Sequence, residues 1–132
     1  MDYQTTATHP HGLEEELQWA HIVSTGSPAE GMALLFIQKL CTAFHEFEPA
    51  WKVGALTKGH LDHFRARLAG RAIHALKVLE KNDLATVDGA EALAELVRKV
   101  ESAETMADLA SLTEQVHAIN HTLCDSLEKN VE

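Results

Sequence analysis

Apolar side chains return every three or four residues along two long stretches of this chain, and that spacing limits the fold more than any other feature. From position 61 the run is Leu61, Phe64, Leu68, Ala72, Ala75, Leu76 and Leu79; from position 109 it is Leu109, Leu112, Val116, Ile119, Leu123 and Leu127. A helix turns once in about 3.6 residues, so each run lines a single stripe, whereas a strand would need strict alternation. Only residues 51–56 offer a candidate strand, and with no second strand to pair with they read as a loop. Aromatics make up 5% of the residues, a further argument against an all-β sandwich.

The punctuation between stripes predicts five helical segments, at about 13–25, 28–48, 59–82, 89–101 and 105–129. Ser27-Pro28-Ala29-Glu30 carries a start signal: serine to accept from a first-turn N–H, proline where no donor is needed, glutamate to close a capping box. Asp88-Gly89-Ala90-Glu91 and Thr105-Met106-Ala107-Asp108 repeat that logic, and Pro49 is expected to end the second segment. The second segment is apolar around most of its circumference, from Met32 to Phe47, so it should be central or half-covered by a second subunit. The fold class expected is all-α, an antiparallel bundle of four to five helices. Residues 1–12, with Thr, His, Pro and Gly and no apolar period, read as a flexible N-terminal arm, and 13–132 as one domain. A first segment of about 13 residues cannot cover a third of about 24, so a homodimer is expected to hide the excess apolar surface.

Residues 1–6 show neither a basic start nor an apolar run, and Met32 to Ile37 is far too short to span a bilayer. Cys41 and Cys124 stand apart, outside any CxxC pattern, as reduced thiols would. A cytoplasmic protein is the expectation, with no membrane partner.

Two constellations could carry chemistry. On the last segment His117 and His121 stand four residues apart, beside Cys124, on the shoulder of the apolar stripe; on the second segment Cys41 and His45 repeat that spacing. Should those helices pack together, Cys41, His45, His121 and Cys124 would offer two sulfurs and two nitrogens to tetrahedral zinc, with His117 as an alternate ligand. The competing reading is plain packing, since cysteine is a small hydrophobe often found buried. A di-iron bundle is disfavoured, because Glu114/His117 is the single Glu-x-x-His motif.

The second constellation is basic. Between positions 58 and 81 six bases face two acids, a local net of +4, which leaves −13 for the rest of a chain of net charge −9. His60, His63, Arg67, Arg71 and His74 share one side of that segment, and Arg67, Arg71 and His74 are the candidate anion-binding residues. Pairing with acidic faces, such as Glu14-Glu15-Glu16 or those of a second subunit, is the favoured reading. The surrounding negative charge would repel a polyanion, so nucleic acid is an unfavoured partner.

Nucleotide-binding glycine loops, a GxSxG elbow and HExxH are absent from the chain. No catalytic residue can be named, and the reading leans away from an enzyme. The function expected is a non-enzymatic, self-associating interaction protein, with a possible protein partner and no cofactor; the alternative is a zinc-like metal-binding or sensing bundle.

Overall fold

The computed structural model describes residues 13–54, 56–84 and 86–131, with side chains for 16–54, 56–57, 59–84 and 86–130. The arm expected at 1–12 lies outside the described residues. Five helices of twelve residues or more pack against one another: α1 (Leu13–Thr25), α2 (Pro28–Lys52), α3 (Leu61–Lys81), α4 (Ala90–Glu101) and α6 (Thr113–Val131). A five-residue helix, α5 (Met106–Ala110), precedes α6, and a 3-10 turn at Lys58–His60 leads into α3. No strand occurs among the described residues, and no described helix is long and apolar enough to cross a membrane.

α2 holds the middle, as its apolar circumference requires, and touches α1, α3, α5 and α6. It buries Leu34, Ile37, Leu40, Phe44 and Phe47 against Ile22 of α1, Leu68 and Leu79 of α3, Leu109 of α5 and Leu123 of α6 in one continuous core. α3 runs antiparallel to α2. Phe47 meets Phe64 with ring centroids 5.2 Å apart, Glu46 meets Arg67, and Phe36 meets His74, so α2 numbers fall as α3 numbers rise.

The start signals act by three different geometries. At Ser27 the Glu30 carboxylate reaches back to accept from the backbone N–H at 3.4 Å and from the serine hydroxyl. Thr105 and Asp108 form a reciprocal box: the Asp108 N–H donates to the threonine oxygen at 3.0 Å, and the Thr105 N–H to the carboxylate at 3.1 Å. Asp88 does not cap α4. That position belongs to Gly89, left-handed at φ 98°, because the chain there passes so close to Leu123 that a Cβ would lie 2.9 Å from its Cγ.

Two boundaries differ from the sequence reading. α2 continues through Pro49 to Lys52; the proline removes one donor, but Phe47 and half-buried Trp51 pack the last turn on the core. The segment expected at 105–129 is broken at Ser111-Leu112. There the Leu112 N–H bonds to the Leu109 carbonyl, three residues back, and this tightened turn lets α5 pack against α2.

Candidate functional site

The Cys/His residues separate by depth. Cys41 and Cys124 are each 1% exposed and neither forms a disulfide. The Cys124 sulfur accepts a hydrogen bond from the Trp19 indole at 3.1 Å and lies 3.5 Å from the Asn120 side-chain oxygen, to which it donates. His45, His117 and His121 lie on the exposed surface, and His121 Nε2 stands 3.5 Å from Asp125 Oδ2. Four residues advance a helix about 40° past a full turn. On the shoulder of a core that rotation carries His45 outward from Cys41, and three residues turn Cys124 inward from His121. Among the described residues no group of three or more His, Cys, Asp or Glu side chains is placed to hold a metal ion.

The basic residues do converge. Arg67 and Arg71, one turn apart on α3, line an open groove of about 340 Å³ with Leu35, Gln38, Lys39, Thr42, Ala43 and Glu46 of α2. Glu46 sits 3.4 Å from Arg67 and offsets part of its charge, while Arg65 bonds to Asp62 at 2.6 Å. Arg67 and Arg65 thus find acids on α2 and on their own helix respectively; the side chains of Glu14 and Glu15 lie outside the described residues. His74 is a turn further on, exposed, its ring edge-on to Phe36 with centroids 6.2 Å apart. It is not part of the groove lining. The Lys39 ammonium lies 5.0 Å from the centroid of that same Phe36 ring.

A second groove, of about 550 Å³, continues the first through shared Leu35 and Gln38 and runs to Val23, Pro28, Gly31 and Met32. Its character is apolar, and Val23 at 62%, Met32 at 47% and Leu35 at 42% are large hydrophobic side chains open to solvent. Such residues are ordinary when scattered; three beside one groove form a patch.

The carboxyls whose titration is displaced, Glu30, Glu48, Glu95 and Asp108, line neither groove. Burial pushes the Glu30 carboxyl up, but hydrogen bonds from Ser27, its own backbone N–H and Asn130 outweigh this and hold it below the ordinary value. Asp108 is held low by the Glu104 and Thr105 N–H groups and the Thr105 hydroxyl.

Sequence reasoning placed Arg67 and Arg71 but missed Lys39, Thr42 and Glu46, which complete the surface from α2. Their spacing of three and four residues was a visible signal, but its meaning depends on which face α3 leaves uncovered. No protein family, no characterised protein and no solved structure matches this chain.

Proposed function

We propose that this is a non-enzymatic interaction protein that associates with copies of itself through the surface α2 leaves open between α1 and α3. One observation carries the reading: Val23, Met32 and Leu35 stand exposed at an apolar groove that runs directly into a basic one. An apolar centre with a charged margin is how protein interfaces are built, the centre supplying free energy and the margin orientation. Each Å² of apolar surface removed from water contributes about 25 cal/mol, so a patch of this kind favours association.

Sedimentation of the native chain over a range of concentrations tests this. The average mass should rise with concentration toward that of a dimer, and Leu35→Glu, which sets a carboxylate in the patch without touching the core, should return it to the monomer. A wild-type chain that stays monomeric up to about 100 μM, well past micromolar affinity, would refute the reading.

A further inference from the structure

We propose that the two copies pair α2 against α2, antiparallel about a two-fold axis beside Thr42, so that Lys39 of each copy meets Glu46 of the other. This rests on the self-association reading above and adds its register. Met32, Leu35, Lys39, Thr42, Glu46 and Pro49 on α2, with Val53 directly after its end, are all exposed. They follow one another at alternating intervals of three and four residues, the spacing that keeps a seam turned toward a second helix. At 3.6 residues per turn the set occupies roughly 100° of arc. The opposite side of the helix carries Leu34, Ile37, Leu40, Phe44 and Phe47 into the chain's own core, so α2 has one face for the fold and another left open.

Charge selects the second copy and its direction. A two-fold interface presents the same surface twice, so whatever residue i meets at j is met again at j and i. With the helices parallel, Lys39 would face Lys39 and Glu46 would face Glu46, and both contacts would repel. Antiparallel, with the axis beside Thr42, Lys39 faces the other copy's Glu46 twice. The same register sets Leu35 beside Pro49 and Met32 beside Val53, apolar on apolar. Arg71, which shares the groove with Lys39, adds a second cation where the incoming Glu46 arrives.

Size sets the strength. From Met32 to Val53 the stripe is about 30 Å long at 1.5 Å per residue, and a helix about 10 Å wide laid on it covers on the order of 300 Å² per copy. A standard interface uses about 800 Å² per partner. Even with Val23 and Arg71 at the flanks, the dimer is weak, with dissociation in the micromolar range and weakened by salt.

The test is a charge exchange on the full chain, read by sedimentation with circular dichroism as the check on folding. Lys39→Glu and Glu46→Lys should each weaken the dimer on the order of 10-fold, since each substitution reverses two symmetric pairs. The double variant, and an equal mixture of the two single variants, should return to within about threefold of wild type. Single variants that dimerise like wild type, or a double variant as weak as the singles, would overturn the register. If Leu35→Glu still dissociates the protein in that case, self-association through this face stands; a monomeric wild type removes both.

Discussion

Replacing Gly89 with alanine should destabilise the protein strongly, through two contributions that the structure separates. The backbone there is left-handed at φ 98°, which costs a residue bearing a Cβ about 1–2 kcal/mol. The added carbon would also stand 2.9 Å from Leu123 Cγ, 3.1 Å from Cδ2 and 3.4 Å from the Leu123 backbone nitrogen. Leu123 is fully buried, so relieving that contact disturbs a packed core, about 1–3 kcal/mol. Restricting the unfolded chain returns about 0.4–1 kcal/mol. The net loss is about 1–5 kcal/mol, or a fall in Tm of about 4–17 °C for a chain of this size. Urea unfolding followed at 222 nm reads it directly. Gly70, inside α3, is the control: no atom lies within 4 Å of its would-be Cβ, so the same substitution should gain about 0.5–1 kcal/mol from helix propensity. Combining Gly89→Ala with Leu123→Ala separates the two contributions, because shortening Leu123 relieves the contact but not the backbone strain. The pair should then lose less than the sum of the single losses by about 1 kcal/mol or more. An unfolding midpoint for Gly89→Ala equal to wild type would refute the close packing of the α3–α4 connection on α6.

Two further outcomes follow from the buried groups. Cys41 and Cys124, each 1% exposed, should react with an aromatic disulfide reagent only as the protein opens, both titrating at once in denaturant; two thiols that react within seconds in buffer would contradict their placement. The Glu30 carboxyl, held below its ordinary value of 4.5 by Ser27 and Asn130, is depressed by folding, so its stabilisation is complete above that value and disappears as pH falls through the folded pKa. The difference in Tm between wild type and Glu30→Gln should therefore be largest near neutrality and shrink toward pH 3, and a difference constant across that range would exclude the carboxylate as its source.

The helices were legible because their cause is local. Spacings such as Leu61-Phe64-Leu68 and Leu109-Leu112-Val116 reflect a rotation per residue that needs no knowledge of neighbours, and Ser27-Pro28-Ala29-Glu30 marks a start through atoms within one turn. Where the sequence reading slipped, a distant contact had intervened. Trp51 packs on the core and carries α2 past Pro49, α5 turns off at Ser111 to reach α2, and Leu123 crowds out any cap but Gly89. The site residues followed the same division. His45 and Cys41 share a spacing that looks like a ligand pair, but a shoulder position is settled by a few tens of degrees of rotation against helices far away in the chain. Arg67 and Arg71 could be placed on one face of α3, whereas their meeting with Lys39 and Glu46 arises only when α2 and α3 pack antiparallel in one register. The sequence by itself determined which stretches coil and which stripe each must bury, because backbone geometry acts within a turn. Tertiary structure alone decided what lies opposite each stripe and which face of α2 stays open, because that depends on how five helices of unequal length divide the same buried surface.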